Sequence, residues 1–230
     1  MKNIITLILA VVTLGGAHAA TVNWGADANF DLVLHDSSGA LLSDNSLVRI
    51  GFFSLSDAAI QGLASPTPAN LATLGASFTV FDSAQVGDGF GNDPGAFTKN
   101  SIVPIGGLAN QQIYYWVLNG TSVATSNQQA IFYRNKVTDL DWAFPANDIS
   151  ATTVDAGDLR GLGGTISSGS VVLAGSYLTN SIPGAIYNGG PTSAIQLQGL
   201  AAPVPEPSAF VFGLLAGVGA LCRRHRRAKV

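Results

Sequence analysis

Between its two ends the chain consists of short apolar runs separated by polar, glycine-containing turns. Strand-like runs recur along it, at residues 47–53, 77–82, 130–134, 170–174 and 194–198. Two hairpins are predicted, one through residues 30–42 around the Asp-Ser-Ser-Gly turn, and one through residues 113–125. In the second, Asn119-Gly120 favours a type I′ turn, because both central residues of that turn need a positive φ.

Helix is predicted in two short segments. Ser56 followed by Asp57 is a typical helix start, so residues 56–63 form one short helix, and residues 70–74 add another turn. No repeat of fixed period is visible, which argues against a solenoid or a propeller. The pattern predicts a mainly β fold: an antiparallel β-sandwich or jelly-roll-like body with one or two short helices.

The first residues have the pattern of an export signal. Lys2 precedes an uncharged apolar run over residues 4–14, and Ala17-His18-Ala19 supplies the small residues that signal peptidase requires. Cleavage is expected before Ala20, which makes residues 1–19 a signal peptide and residues 20–202 an exported body.

Three unlike parts follow one another at the C-terminal end. Residues 203–207 alternate proline with other residues and cannot be helical, because proline fixes φ and disfavours helix in the residue before it. Residues 209–222 are uncharged and apolar, but fourteen helical residues span only about 21 Å of a roughly 30 Å hydrocarbon core. A basic cluster then follows: Arg223, Arg224, Arg226 and Arg227. Its long side chains can reach the headgroups and hold this end in the cytoplasm, which leaves the body outside.

This order of parts resembles the PEP-CTERM sorting signal, over about 25 residues. Proteins of that family are substrates of exosortase, an integral-membrane protease or transpeptidase that removes the tail during export. The resemblance implies that Pro205, Glu206 and Pro207 form the recognition motif, that residues 209–222 are a transmembrane sorting helix, and that the arginines stop transfer at the membrane. It also implies a Gram-negative, exopolysaccharide-producing cell, transient inner-membrane anchoring, and a product at the cell surface or in the extracellular (biofilm) matrix. An ordinary single-pass anchor is the alternative.

Charge in the body is one-sided. Thirteen aspartates face five basic residues between positions 20 and 202, a formal charge of −8, whereas the whole chain carries −3. Such a body repels nucleic acid and anionic lipid headgroups, so neither is an expected partner. The one cysteine, Cys222, lies in the tail, so the body has neither a disulfide nor a thiolate metal ligand.

Histidine and glutamate are scarce enough to exclude several enzyme classes. His35 is the one histidine of the body, and no Gly-x-Ser-x-Gly element accompanies it, which argues against a Ser-His-Asp hydrolase. The single glutamate, Glu206, lies in the tail, so a glycosidase would need two aspartates. Asp139 and Asp141 are the predicted pair, because their spacing in a strand puts both on one face.

Two segments carry binding chemistry. The glycine-rich loop at residues 87–93 offers oxygen ligands from Asp88, Asn92 and Asp93 that suit Ca²⁺. The pattern favours an exposed turn there, with a calcium site as the alternative. Residues 155–158 have similar chemistry.

Aromatic side chains offer a surface on which sugar rings can stack. Tyr114 and Trp116 share one face of a predicted strand, and Trp142 lies beside the aspartate pair. These three are the candidate glycan contacts. The same run also describes a strand that is buried on both sides, which the pattern favours.

The sequence therefore predicts a secreted, non-enzymatic surface or extracellular-matrix protein without a required cofactor. Its expected partners are signal peptidase and exosortase during export, and exopolysaccharide afterwards. Two alternatives stay open: a secreted carbohydrate-active enzyme that uses aspartates, and a self-associating structural component.

Overall fold

The computed structural model describes residues 19–26, 32–89, 94–179 and 193–200. The chain divides into two units, Met1–Gly199 and Leu200–Val230, and the fold described here is that of the first. Strands dominate it, so the predicted mainly β class is confirmed.

The described ranges contain twelve strands and two α-helices. The strands are β1 (Ala20–Ala26), β2 (Leu32–His35), β3 (Leu47–Phe53), β4 (Phe78–Gln85), β5 (Phe97–Val103), β6 (Tyr114–Leu118), β7 (Gln128–Arg134), β8 (Ala151–Asp155), β9 (Ser170–Ala174), β10 (Ser176–Leu178), β11 (Ser193–Gln196) and β12 (Gln198–Gly199). The α-helices are α1 (Asp57–Gly62) and α2 (Pro68–Ser77).

The strands form three sheets. The six-stranded sheet has the order β12-β7-β6-β3-β4, with β9 also paired to β7. The β1 sheet has the order β5-β1-β8, and the β11 sheet has the order β10-β11-β2. The pairs β1–β8 and β2–β11 are parallel, so the arrangement is not antiparallel throughout.

The chain passes twice between the six-stranded sheet and the β11 sheet, and the two passages lie next to each other. Gly175 alone separates β9 in the six-stranded sheet from β10 in the β11 sheet, and Leu197 alone separates β11 from β12 on the return. Gly175 has a φ of +86°, and a Cβ at this position would lie 2.5 Å from the carbonyl oxygen of Gln196. Glycine at position 175 therefore allows these two segments of the backbone to approach so closely.

The helices begin at side-chain caps. The Ser56 hydroxyl accepts a hydrogen bond from the Ala59 amide at 3.3 Å, which confirms the predicted start of the first helix. Thr67 caps α2 in the same way, with Pro68 in its first turn. This helix is longer than the single turn predicted, because residues 68–77 continue it without a break.

Both helices lie near one face of the six-stranded sheet. The side-chain Nε2 of Gln129 on β7 donates to the carbonyls of Leu63 and Ala64 after α1, at 3.2 and 2.8 Å. Gly75 in α2 lies close to the Trp116 ring on β6, where an added Cβ would be 3.8 Å from that ring. The helices thus cover the Trp116 side of β6.

The opposite face of β6 meets the β1 sheet through Tyr115. Its ring stacks on Phe132 at 5.1 Å and contacts Trp24 edge-on at 5.8 Å. Its buried hydroxyl accepts from the Gly25 amide at 3.1 Å and donates to the Val154 carbonyl at 2.8 Å. One side chain of the six-stranded sheet therefore joins β1 and β8.

The predicted two-residue hairpin after β6 is wrong. β6 does pair with a following antiparallel strand, but that strand is β7, after a nine-residue loop at 119–127. Asn119 does not adopt the positive φ of a type I′ turn. Its side-chain oxygen instead accepts from the amides of Asn127 and Gln128, both at 3.0 Å, and so closes the longer loop.

Replacing Tyr115 by phenylalanine is predicted to lower the free energy of unfolding by about 1–3 kcal/mol, because it leaves the buried Gly25 amide and Val154 carbonyl without their partner. Urea unfolding measures the change. The matched control is Tyr177→Phe: that hydroxyl donates to the Gly164 carbonyl at 3.0 Å from a half-buried side chain, where water can replace it. Equal losses in the two variants would contradict a special role for the Tyr115 hydroxyl.

Candidate functional site

The predicted processing residues lie mainly outside the described ranges. Those outside are Ala17, Pro205, Glu206, Pro207, Arg223, Arg224, Arg226 and Arg227. Ala19 is partly exposed, and Ala20 is fully buried as the first residue of β1. None of the helices within the described ranges is long and apolar enough to cross a membrane.

Asp88 serves the turn after β4 in the predicted calcium loop. Its carboxylate accepts from the Gln85 amide at 2.8 Å, and its carbonyl accepts from the Thr98 amide at 2.9 Å. Asn92 and Asp93 lie outside the described residues. No group of three or more His, Cys, Asp or Glu side chains is placed to hold a metal ion in the described part of the chain.

The three candidate glycan contacts are buried. Tyr114 is 7% exposed, and Trp116 and Trp142 are 0% exposed, so the open stacking face on which that prediction depended is absent at these residues. Their polar atoms have protein partners: the Trp116 ring N–H donates to the Gln129 side chain at 3.0 Å. Two-sided burial of β6 is the physical reason for Tyr114 and Trp116, whereas Trp142 packs against the Tyr115 ring at 5.6 Å.

Asp139 and Asp141 do not share a strand face. They flank Leu140 in a 3-10 turn (Leu140–Trp142), and the Asp139 side chain caps that turn by accepting from the Asp141 amide at 3.2 Å. Asp139 also pairs with Arg134 at 3.0 Å, whereas Asp141 is exposed. The geometry on which the aspartate-pair prediction rested is therefore wrong.

Asp158 is a half-buried acid in the segment 155–158, whose oxygen ligands were compared above with those of the predicted calcium loop. Its carboxylate accepts from the Trp142 ring N–H at 3.1 Å and from the Asp155 amide at 3.3 Å. Asp155 reciprocates by accepting from the Gly157 amide at 2.6 Å, so residues 155–158 form a capping box for a 3-10 turn. Burial raises the pKa of Asp158, and nearby Asp139 adds to the rise, against the Trp142 and Asp155 hydrogen bonds and the charge of Arg134. The only sequence signal was the Asp-x-x-Asp spacing.

Asp57 joins α1 to the six-stranded sheet through two tyrosines. The Tyr133 hydroxyl donates to its carboxylate at 2.5 Å, and the Tyr114 hydroxyl donates at 3.3 Å. Burial, followed by the charge of Asp57, raises the pKa of Tyr114 to about 12, and burial and the Asp57 hydrogen bond raise that of Tyr133 further. Both hydroxyls thus stay protonated as donors to Asp57.

Asp82 joins β4 to the β1 sheet. It accepts from the Ser101 hydroxyl at 2.5 Å and pairs with Lys99 at 3.1 Å, and Ser101 in turn accepts from the Trp24 ring N–H at 2.7 Å. Burial favours a higher pKa for Asp82, but the hydrogen bonds from Ser101 and the Ser83 amide and the charge of Lys99 outweigh it, so the pKa is lowered. The carboxylate is therefore held in its charged form.

His35 is 4% exposed at the end of β2, and neither ring nitrogen has a hydrogen-bond partner among the described residues. Burial lowers the pKa of the imidazole, against smaller opposing effects from the Gly39 backbone and the Asp36 carboxylate. An unpaired imidazole of this kind is tolerated in its neutral form and opposes folding once it is charged.

No protein-family model matches the chain, and none of the curated proteins or solved structures matches it. Function must therefore be inferred from the residues. Asp57, Asp82 and Asp158 each join two elements of the fold. The solvent-facing side chains are where a partner can be recognised.

Replacing Asp158 by asparagine and by alanine is predicted to affect the free energy of unfolding differently. Asparagine keeps the acceptor for Trp142 and removes a partly desolvated charge, so stability at neutral pH is maintained or raised. Alanine leaves the Trp142 N–H unpaired and costs about 1–3 kcal/mol.

The pH dependence gives this prediction a second readout. Because the folded pKa lies above 3.8, the folded state binds more protons than the unfolded state above that pH, and this group's contribution to stability falls as pH rises. In urea unfolding, the free energy of unfolding of wild type should rise relative to that of Asp158→Asn as the pH falls toward 3.8. A constant difference between the two would contradict the raised pKa.

Replacing His35 by leucine is predicted to reduce acid sensitivity. The pKa of His35 is lowered on folding. The contribution of His35 to stability is therefore fully present above pH 6.5 and is lost as the pH falls below that value. Urea unfolding between about pH 7.5 and about pH 5.5 should show a steeper fall for wild type than for the variant. Parallel curves would show that His35 does not titrate differently in the folded state.

Proposed function

We propose that this chain is an exported, non-enzymatic surface or extracellular-matrix protein that exosortase processes and that associates with exopolysaccharide. The observation that carries the proposal is the order of three parts in the last residues: the Pro-Glu-Pro motif at 205–207, the apolar run at 209–222 and the arginine cluster. Each part alone is common, but the three have different chemistry and occur together in the order that the sorting signal requires.

The positions of the strands support processing at both ends. β1 begins at Ala20, directly after the expected signal-peptidase site, and β12 ends at Gly199, before Pro203. Removal of residues 1–19 and of the tail would therefore remove none of the twelve described strands. The sandwich-like packing of the β1 sheet against the six-stranded sheet, inferred from Tyr115, would survive both cuts.

The use of the acidic side chains supports a non-enzymatic body. Asp57 bonds two tyrosines, Asp82 bonds a serine and a lysine, and Asp139 pairs with an arginine. These contacts contribute to the fold, and groups committed in this way are poor candidates for proton transfer to a substrate. The described core therefore favours a scaffold that presents its surface.

The test is the intact mass of the protein recovered from the surface and medium of its native host. The expected mass lacks residues 1–19 and the segment after about residues 203–207. Any added mass would identify a molecule attached at the cut. A Glu206→Ala variant should keep its tail, because it alters the recognition motif, whereas Pro203→Ala, outside the motif, should be processed like wild type.

A wild-type mass that retains the arginine cluster would overturn the proposal. Normal processing of the Glu206→Ala variant would show that exosortase does not need Glu206, and the motif at 205–207 would no longer be part of the proposal.

A further inference from the structure

The outer face of the β1 sheet carries three threonines and two asparagines in register. Strand pairing aligns them in three rows across β5, β1 and β8: Ile102–Thr21–Ala151, Asn100–Asn23–Thr153 and Thr98–Gly25–Asp155. These nine residues are called the threonine–asparagine face. Alternation along each strand directs the intervening residues, among them Val22 and Trp24, into the core.

The polar side chains of this face are available to a ligand. Thr98, Asn100 and Thr153 are exposed, and Thr21 and Asn23 are partly exposed. None of these five side chains makes a hydrogen bond within the described part of the chain, whereas the half-buried carboxylates of Asp57, Asp82 and Asp158 each accept one or more. Hydroxyl and amide groups both donate and accept, which is what a ligand rich in hydroxyl groups requires.

The face also contains one large exposed apolar side chain. Ile102 is 67% exposed in the first row, beside the half-buried Thr21. Together with the threonine methyl groups it gives the C–H side of a sugar ring an apolar surface to contact. The only charged residue of the face is Asp155, at one corner, whose carboxylate accepts from the Gly157 amide.

Charge distinguishes among the partners. The body carries a formal charge of −8, so an anionic polymer or a second acidic copy meets repulsion as it approaches. A neutral polymer meets none, and the threonine–asparagine face has no lysine or arginine with which to attract an anion.

Size argues in the same direction. Three strands about 4.8 Å apart and three rows about 6.8 Å apart cover roughly 300 Å². A stable protein–protein interface buries about 800 Å² per partner. The face is therefore too small to hold a dimer by itself, while its long dimension accommodates several consecutive sugar rings.

We infer that the threonine–asparagine face binds a neutral polysaccharide chain through its rows of hydroxyl and amide groups. This inference rests on the proposed association with exopolysaccharide and assigns that association to one surface. Binding at each face is weak and reversible, because the contacts are solvent-exposed hydrogen bonds without a buried aromatic anchor.

The experiment measures co-sedimentation of the full chain, purified in mild detergent, with cellulose as the neutral probe and alginate as the anionic probe. The face variant combines Asn23→Ala, Asn100→Ala and Thr153→Ala. Its matched control is Thr79→Ala, which removes an exposed hydroxyl from β4, outside the face. Urea unfolding establishes that both variants remain folded, and Thr153→Ser serves as the single variant that keeps the hydroxyl.

The expected result is that wild type, Thr79→Ala and Thr153→Ser bind cellulose and not alginate, and that the face variant loses about tenfold or more in affinity, as the loss of three ligand hydrogen bonds implies. Unchanged cellulose binding by the face variant would overturn the assignment, as would binding to alginate alone or to neither probe. Concentration-dependent self-association that the face variant loses would also overturn it, since the face would then be a contact between copies. The intact-mass measurement is independent of all these outcomes, so failure here is distinguishable from failure of the proposed sorting route.

Discussion

Strand β6 has no solvent-facing side, and the layers of the described body are defined by what covers its two faces. All five of its residues are buried. Burying a large apolar side chain contributes about 1.5–3 kcal/mol, so such a strand stabilises the fold only if both faces are covered. On one side Trp116 meets Phe53 and Phe78 at 5.8 and 5.4 Å, below the helices. On the other, the Tyr115 hydroxyl bonds to β1 and β8, and Asp82 on β4 adds a second link to the β1 sheet through Ser101 and Lys99.

An acidic body with five basic residues cannot balance its charge through ion pairs. The described residues contain two salt bridges, Lys99–Asp82 and Arg134–Asp139, both partly exposed, and such pairs contribute little. Hydrogen bonds from neutral donors take over much of this role, from Tyr133 to Asp57, from Ser101 to Asp82 and from Trp142 to Asp158. The Tyr133 and Trp142 bonds hold Asp57 and Asp158 through neutral donors, whereas Asp82 is also paired with Lys99. These hydrogen bonds hold Asp57, Asp82 and Asp158 in place within a body that carries a formal charge of −8.

Local pattern was enough to predict some elements and not others. Residues 47–53 and 170–174 were predicted as strands with the observed bounds, because their apolar density alone indicates a core strand. β1, β5 and β8 were missed: Thr, Asn, Lys and Ser alternate with their apolar residues, and they pair with partners far away in sequence. The loop after β6 was mispredicted because the Asn119 side chain caps distant amides instead of entering a tight turn. Among the sites, burial of Trp116 and Trp142 and the capping role of Asp139 depend on tertiary packing, which sequence spacing does not contain.

The topology of β1 connects the fold to the proposed export. β1 is the middle strand of its sheet, yet its partners lie at residues 97–103 and 151–155, so its pairing closes only after most of the body has followed it. Contacts between residues so distant along the chain form slowly, since loop closure must be completed before they contribute. This delay suits the proposed export in an extended state, because β1 cannot pair before residues 97–103 have followed it. The same pairing aligns the rows of the threonine–asparagine face, so the surface proposed to bind polysaccharide is complete only once β8 has joined β1.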